Sequence, residues 1–320
     1  MGLAAKSFGK ELLWYLTCTH EQGPEPNILL FATRRGGSTF VMELIAANKG
    51  VRSIDQPFEM SSKFSSAAQI AEMPLFEDGQ LTSLDERSAS RLESLTERIF
   101  AGDVVINAPT RVWRRDVELR SNRLVLKVLD AKPLIGWFAD SVPCDIVYLT
   151  RHPIPLSISC IRNDWTLTAA AYLRDERFVE ANLTDDALAL AHDTMSSGTE
   201  LQRFIVNWAL ENVAPMRLLP DRADWLHVRY EDCITDPAGV LDTVAARLRL
   251  TDRSRMLATL RRPSVSSGRS TKSTRGLIEK GDAAAAVTRW RRDVDGDTEA
   301  WCDRLLETFG IDPRAVLPSF

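Results

Sequence analysis

The chain has 320 residues, of which 44% are hydrophobic and 26% are charged, and its formal net charge is −4. This composition excludes a disordered chain, and it argues against a nucleic-acid binder, which would need a basic face. No apolar run approaches the ~20 residues that a membrane-spanning helix needs, so we expect no stable membrane insertion. A single large domain over residues 1–320 is the simplest expectation.

The cysteines and histidines give no sign of a metal site or a disulfide framework. The five cysteines are an odd number, widely scattered, and contain no CxxC pair. Such a pattern favours buried free thiols and a cytoplasmic location. The four histidines lack metal-ligand spacing, and His227 lies in an apolar stretch where a satisfied core residue is the better interpretation. We therefore expect no metal.

Apolar runs and helical periodicities alternate along the chain. Strands are predicted near 27–32, 51–54, 103–107, 123–129, 144–150 and 225–230, and helices near 38–48, 84–100, 131–140, 155–173, 198–217 and 238–249. This alternation predicts an α/β fold with a mostly parallel sheet and helices on both faces. We expect a core over about residues 25–250 and a helical and loop C-terminal portion over 251–320.

The first of these apolar runs is followed by the most informative segment of the chain. The run at 28–32 breaks at the sequence TRRGGST, residues 33–39, and a helical pattern starts at once. The two glycines permit a tight turn and a close backbone approach to a ligand. Ser38 and Thr39 offer a helix cap and hydroxyl donors, beside the free N–H groups and positive dipole end of the helix. With two arginines, this P-loop-like loop predicts a site for a phosphate or sulfate ester.

The same loop departs from the standard nucleotide-binding loops. The pattern GxxxxGK[ST] is absent near it, so the lysine that normally reaches the β- and γ-phosphates is missing. The dinucleotide pattern GxGxxG is absent as well. A turn that merely eases packing is the plain alternative, although two consecutive arginines at a helix start disfavour it.

Two later segments repeat the strand–turn–helix pattern. The apolar run at 146–150 is followed by Arg151 and, eight residues later, by Ser159, which is about two helical turns further along. An arginine that leaves a strand and a hydroxyl from the next helix can converge on a second anion. Residues 225–250 give a further strand, a turn and an amphipathic helix, with Asp236 as its N-cap.

Together the three segments resemble the sulfotransferase family that uses 3′-phosphoadenosine 5′-phosphosulfate, in its bacterial form. TRRGGSTF at 33–40 resembles the family's loop for the 5′-phosphosulfate, and LTRHPIPLSIS at 149–159 resembles its 3′-phosphate motif. VRYEDCITDP at 228–237 resembles a later strand–turn–helix element. The resemblance covers roughly residues 25–250. It implies transfer of a sulfuryl group from this donor to a hydroxyl acceptor by in-line displacement.

The resemblance also implies which residues hold the donor. In the loop and the two later motifs they are Arg34, Arg35, Gly36, Gly37, Ser38, Thr39, Phe40, Arg151, Ser159 and Tyr230. In the family a late basic loop closes on the 3′-phosphate. The Ser-, Thr- and Gly-rich stretch 263–283 would be that loop here, with Arg269, Lys272 and Arg275 as its candidates.

Sulfuryl transfer builds negative charge on the leaving phosphate oxygen, so catalysis should consist mainly of positioning and charge stabilisation. Arg35, together with the loop amides, is placed to supply that charge. Arginine stays protonated, so it stabilises the oxygen without acting as an acid. Lys127 is a lone charge in an apolar strand and needs a buried partner, either a bridging phosphate or a structural ion pair.

The proton acceptor is the part of the site where the sequence leaves alternatives. The histidine used by the cytosolic small-molecule enzymes is absent from the matching place, 127–129. Other branches use a glutamate just after the second strand. Direct counting from the loop puts Asp55 there, an alignment with one gap points to Gln56, and Glu59 lies close. A surface carboxylate is the alternative for either acid.

A small-molecule or lipid-like hydroxyl compound is expected as the acceptor. Six apolar or aromatic residues in the segments 55–83 and 160–200 favour a lipid, polyketide or aromatic alcohol: Phe58, Met60, Phe64, Trp165, Tyr172 and Phe178. Two other functions stay open. One is a nucleotide-dependent phosphotransferase or NTPase, and the other is a non-catalytic sulfotransferase-like binding protein.

Overall fold

The computed structural model describes residues 18–59, 79–104, 118–260 and 283–316. Its strands are β1 (Thr19–His20), β2 (Asn27–Ala32), β3 (Val51–Asp55), β4 (Arg120–Ser121), β5 (Arg123–Val128), β6 (Cys144–Thr150) and β7 (Leu226–Arg229). Five of them form one sheet in the order β3-β5-β2-β6-β7, and each neighbouring pair is parallel. The expected parallel sheet is thus confirmed. Strands β1 and β4 form a small parallel pair of their own.

Helices connect the strands on both sides of the sheet. They are α1 (Ser38–Ala46), α2 (Glu86–Ala101), α3 (Ile135–Ser141), α4 (Pro153–Ile161), α5 (Ala169–Arg174), α6 (Glu176–Asn182), α7 (Asp185–Ser197), α8 (Glu200–Leu218), α9 (Tyr230–Thr235), α10 (Pro237–Arg247), α11 (Arg253–Leu260), α12 (Ala283–Thr288) and α13 (Gly296–Thr308). Short 3₁₀ turns lie at Lys132–Leu134, Leu219–Asp221, Arg289–Arg292 and Pro313–Ala315.

The sheet divides the core into two layers, because successive side chains of a strand point to opposite faces. On β2, Leu29 and Phe31 pack in the layer that contains α3, α4 and α8. Ile28 and Leu30 pack in the other layer, with α1 and α10. All six residues of β2 are buried, which fits the continuous apolar run that follows Asn27 in its sequence.

The structure contradicts two of the predicted elements over the residues that it describes. The strand predicted at 103–107 does not begin at Asp103 or Val104, because α2 ends at Ala101, its C-cap Gly102 takes a left-handed conformation (φ 81°), and irregular chain follows. Residues 105–107 lie outside the described residues. The helix predicted at 155–173 ends at Ile161 and is followed by a second helix, α5, that starts at Ala169.

The break after α4 has a local cause. Asp164 adopts φ 52°, and the Trp165 N–H donates to the Cys160 carbonyl at 3.2 Å, which closes the end of the helix. Asn and Asp are the residues that most readily take the left-handed conformation after glycine, so the pair at 163–164 is a stop signal that helical periodicity alone does not detect.

Three other expectations, for a helix cap, a core histidine and free thiols, are confirmed. Asp236 caps α10 by accepting a hydrogen bond from the Gly239 N–H at 2.9 Å. His227 hydrogen-bonds to Thr150 at 2.9 Å, and burial lowers its pKa to about 4, as suits a neutral core histidine. All five cysteines are free thiols.

Within the described ranges, no helix has the length and apolar character that crossing a bilayer requires.

Candidate functional site

The three sequence motifs meet at the carboxyl edge of the sheet. Strands β2, β6 and β7 are neighbours, with Ala32 opposite Leu149 and Thr150 opposite Arg229. The residues that follow these strands therefore emerge side by side, at the edge where parallel α/β sheets bind their ligands.

The loop between β2 and α1 is a tight turn that depends on its glycines. The Gly36 N–H donates to the Thr33 carbonyl at 2.9 Å, and a Cβ atom on Gly36 would lie 2.8 Å from that oxygen. Arg35 has φ 65° and Gly37 has φ 93°, so both take the left-handed conformation. A Cβ on Gly37 would lie 2.3 Å from the Tyr230 ring, which means that the ring packs directly on this glycine.

The first turn of α1 has no capping side chain among the described residues. Its N-cap is Gly37, and no side chain of the described residues caps it, so the expectation that Ser38 or Thr39 caps the helix is wrong. The left-handed backbone at Gly37 starts the helix one residue earlier than a serine cap would. A helix start without a capping side chain or an acidic residue has unused N–H groups and a positive dipole end, which together suit an anion. Phe40 packs partly against the core layer behind it.

The two arginines from different motifs converge on this loop. Arg35 donates from Nε to the Ser159 hydroxyl at 3.3 Å, and Arg151 donates from Nη1 to the Arg35 carbonyl at 2.8 Å. The Arg151 guanidinium also lies 4.5 Å from the centre of the Tyr230 ring. The structure therefore brings Arg35, Arg151, Ser159 and Tyr230 together, as the sequence motifs predict for one site.

Buried polar atoms around Arg151 lack protein partners within the described part of the chain. They include Nε of Arg151 and Oε2 of Glu231. The other oxygen of Glu231 accepts the His152 N–H at 3.0 Å. Burial raises the pKa of Glu231, although Arg151 opposes this shift. A buried guanidinium N–H without a partner is costly unless a bound group accepts it, which an anionic ligand would do.

A second cluster of charge lies beside the start of α1. Lys127 Nζ is 2.5 Å from Asp55 Oδ1, with the two residues opposite each other on β5 and β3, and it donates to the Thr39 hydroxyl at 3.4 Å. Lys127 is buried, whereas half of the Asp55 side chain is exposed. Of the two partners that the sequence allows for Lys127, this is the structural ion pair, and it lies next to the helix start.

Arg34 and Glu59 belong to a separate pocket of about 450 Å³. Arg34 is paired with the buried Asp130 at 2.6 Å, and its guanidinium lies over the half-exposed Trp165 ring. Burial raises the pKa of Glu59, and the negative charge of Asp130 raises it further. The remaining wall is formed by Gly79, Gln80, Thr166, Leu167, Thr168, Ala170, Ala171 and Arg174.

The aromatic surface expected for an acceptor is not where the sequence suggests. Phe58, Tyr172 and Phe178 are buried in the core, where Phe58 stacks on Phe138 and the other two rings pack edge to face. Trp165 is exposed and lies against Arg34, but it does not line the pocket. The other two residues of this expectation, Met60 and Phe64, lie outside the described residues. The donor candidates Arg269, Lys272 and Arg275 also lie outside them.

Three residues of the site were not identified from the sequence: Asp130, Lys132 and Glu211. Asp130 pairs with Arg34, while Lys132 and Glu211 form a buried ion pair behind the loop at 2.6 Å. Glu211 continues the buried stripe of α8, three residues after Trp208, so a charge on the apolar face of a helix was the available signal. Among the described residues, no group of three or more His, Cys, Asp or Glu side chains could hold a metal ion.

Comparisons with known proteins find a resemblance in structure only. No family model and no curated protein sequence matches the chain. The chain is similar to the sulfotransferase domain of the Synechococcus PCC 7002 olefin synthase (17% identity, 93% of this chain and 98% of that chain covered, TM-score 0.45). It is also similar to mouse sulfotransferase SULT7A1 complexed with PAP (16% identity, 92% of this chain and 89% of that chain covered, TM-score 0.45). A third similar structure is the sulfotransferase domain of the curacin biosynthetic pathway (14% identity, 91% of this chain and 99% of that chain covered, TM-score 0.46). Because one fold supports many reactions, the function must be inferred from the site itself.

Proposed function

We propose that this protein is a sulfotransferase that moves a sulfuryl group from 3′-phosphoadenosine 5′-phosphosulfate to a hydroxyl acceptor without a metal. The observation that carries this proposal is the convergence of Arg35, Arg151 and Ser159 on an uncapped helix start. Two arginines, a hydroxyl and free amides in one place suit a ligand with two separate anionic groups.

The donor would lie across the loop, with its phosphosulfate at the start of α1 and its 3′-phosphate near Arg151 and Ser159. The Nε of Arg151 supports this assignment, because it has no partner among the described residues and a phosphate oxygen would accept its hydrogen bond. The Tyr230 ring, packed on Gly37 and beside Arg151, offers a flat surface next to both anionic groups. Arg35 and Lys127 would stabilise the charge that develops on the leaving oxygen.

The acceptor would enter the pocket beside Arg34. Its wall carries charged and hydrogen-bonding groups from Arg34, Glu59, Thr166, Thr168 and Arg174. A long-chain alcohol would exclude water from these charged and polar groups, which is unfavourable. We therefore propose a small polar hydroxyl compound rather than a lipid, and we assign Arg34 to the acceptor side instead of the donor side.

Glu59 is the proton acceptor that we propose. It lines this pocket, and its raised pKa makes it a stronger base than an ordinary exposed carboxylate. Asp55, the other candidate, is held in an ion pair with Lys127 at 2.5 Å, and removing its charge would also disturb that lysine. Its role would be to fix Lys127 beside Thr39.

Calorimetric titration with nucleotides tests the donor. We expect 3′,5′-ADP to bind at least about tenfold more tightly than 5′-AMP, since one charge-assisted contact is worth about 1.5–3 kcal/mol. Arg151→Met should remove most of this difference. Equal binding of both nucleotides would disprove the donor assignment, and tighter binding of ATP–Mg²⁺ would favour a phosphotransferase or NTPase.

Turnover of the donor tests the activity. We expect 3′,5′-ADP to be released faster when polar alcohols are supplied than with water alone. If the protein binds 3′,5′-ADP tightly but forms none from the donor with any acceptor of a broad panel, it is a binding protein and not an enzyme.

A further inference from the structure

The loop that we assign to the donor is held from behind by a fully buried lysine. Lys132 Nζ donates to the Thr33 hydroxyl and to Glu211 Oε2, the latter at 2.6 Å. Asn212 donates to the same hydroxyl at 3.2 Å. Because the Thr33 carbonyl accepts the Gly36 N–H, fixing Thr33 also fixes the turn that contains the glycines.

The second carboxylate oxygen of Glu211, Oε1, holds the pocket wall. Glu211 Oε1 accepts hydrogen bonds from the Thr168 hydroxyl at 3.1 Å and from Asn207 Nδ2 at 2.8 Å. Asn207 in turn accepts the Thr168 backbone N–H at 2.6 Å. Thr168 lies immediately before α5, which supplies three further residues of the pocket wall: Ala170, Ala171 and Arg174.

The two oxygens of Glu211 therefore serve different halves of the site. One is joined through Lys132 to the loop, and the other is joined to the start of α5. Lys132 has no exposed surface, and burial lowers its pKa against the opposing effect of Glu211. Buried ion pairs are seldom retained for stability alone, because apolar replacements of both partners are often neutral, whereas they can fix one arrangement of the parts that they join.

We propose that Lys132 and Glu211 are positioning residues that set the distance between the donor loop and the acceptor wall, so that a change at Thr168 reaches the loop. The assignment of the two halves rests on the proposed function. The physical link between them does not, because every contact in it is made without a ligand.

Thr168→Val tests the link with a small change, since it removes one hydroxyl and leaves the Lys132–Glu211 ion pair in place. We expect amide hydrogen exchange over residues 33–41 of the ligand-free protein to rise by roughly threefold to tenfold. Thr168→Ser should restore slow exchange. Thr96→Val is the control, because Thr96 also donates a hydrogen bond through its hydroxyl but lies on α2, away from the loop and the pocket wall. Equal exchange of the loop in the Thr168→Val and Thr96→Val proteins would overturn the proposal.

Nucleotide affinity gives a second measurement. We expect Thr168→Val to weaken 3′,5′-ADP binding by roughly threefold to tenfold, although Thr168 is assigned to the acceptor wall, and Thr96→Val to leave it unchanged. If the parent protein fails to bind 3′,5′-ADP, the proposed function fails, and the exchange measurement still decides on the link. If the parent protein binds it and Thr168→Val binds it equally well with an unchanged loop, the link fails alone.

Discussion

At the scale of single residues, the site divides its charges by task. Arg35 and Arg151 are joined to each other through a backbone carbonyl and face the loop, whereas Arg34, their neighbour in sequence, pairs with Asp130 at 2.6 Å beside the pocket. Two adjacent arginines therefore lie in two different halves of the proposed site. The left-handed backbone at Arg35 is what turns the second arginine away from the first.

Arg35→Ala should lower kcat by roughly 10²–10³ while it changes the Kd of 3′,5′-ADP by less than about tenfold. The reason is that its contact strengthens only as charge develops on the leaving oxygen. Steady-state kinetics together with calorimetry measure the two effects. Arg314→Ala, at an exposed position in the last 3₁₀ turn, is the control for loss of a positive charge. A loss confined to KM would show that Arg35 only binds the donor.

Glu59→Gln should lower kcat by roughly 10²–10⁴ with donor affinity intact, and Asp55→Asn should cost less. The carboxylate must be ionised to accept a proton, and burial raises its pKa above the usual 4.5. Activity should therefore rise with pH through a midpoint above 4.5, and stopped assays across the acid range measure it. If Asp55→Asn is inactive and Glu59→Gln is active, the role passes to Asp55. If neither change matters, the acceptor arrives already ionised.

At the scale of elements, the contact between α9 and the loop requires a residue without a side chain at position 37. The Tyr230 ring occupies the space that a side chain on Gly37 would need, and Arg151 lies against the same ring. The loop, the strand end of β6 and the start of α9 thus form one packed unit. The site depends on this packing as much as on its charges.

Gly37→Ala should weaken 3′,5′-ADP binding by roughly tenfold, because the new methyl group must displace the Tyr230 ring and occupy a left-handed backbone position. Calorimetry measures the affinity, and thermal unfolding measures the accompanying loss of stability. Gly310→Ala is the matched control, since Gly310 has φ 71° and, its two chain neighbours aside, no described residue has an atom within 4 Å of the place that its new methyl group would take. It should lose stability and keep its affinity. Unchanged affinity in Gly37→Ala would contradict the packing argument.

At the scale of the whole molecule, the parallel sheet holds a buried histidine, His227, that stays neutral. His227 on β7 is hydrogen-bonded to Thr150 and stacked on Tyr148, and burial lowers its pKa to about 4. In the unfolded chain the same ring takes up a proton at about pH 6.5. The unfolded state therefore binds more protons between these two pH values, and the free energy of unfolding must fall as the pH drops from about 6.5 to about 4.

His227→Gln should flatten this part of the stability curve. The histidine accounts for up to about 3 kcal/mol across the window, from the pKa difference converted at about 1.36 kcal/mol per unit. Urea unfolding of both proteins at a series of pH values measures it. His192→Gln, on the surface helix α7, is the control and should follow the parent protein. A parallel decline in the parent and His227→Gln proteins would contradict the assignment.

Much of this architecture could be predicted from the sequence because its signals are local. Long apolar runs indicated β2, β5 and β6, and the order of the three motifs indicated one edge of the sheet as the site. The pair Lys132–Glu211 and the partner of Arg34 could not be predicted, because each joins residues roughly 80 to 100 positions apart. The aromatic expectation failed at Tyr172 for a related reason, since apolar character alone does not separate a core residue from a pocket residue.

The packing of Tyr230 on Gly37 also affects how the protein is made. The loop leaves the ribosome early, but roughly 190 residues must follow before the ring that covers it is synthesised. At common rates of translation this interval lasts on the order of 10–40 s. During that time the nascent chain carries an incomplete form of the proposed nucleotide site, and β5, which separates β3 from β2 in the sheet, is also still missing at first. Affinity for the nucleotide should therefore arise late in synthesis, and abruptly, when Tyr230 emerges.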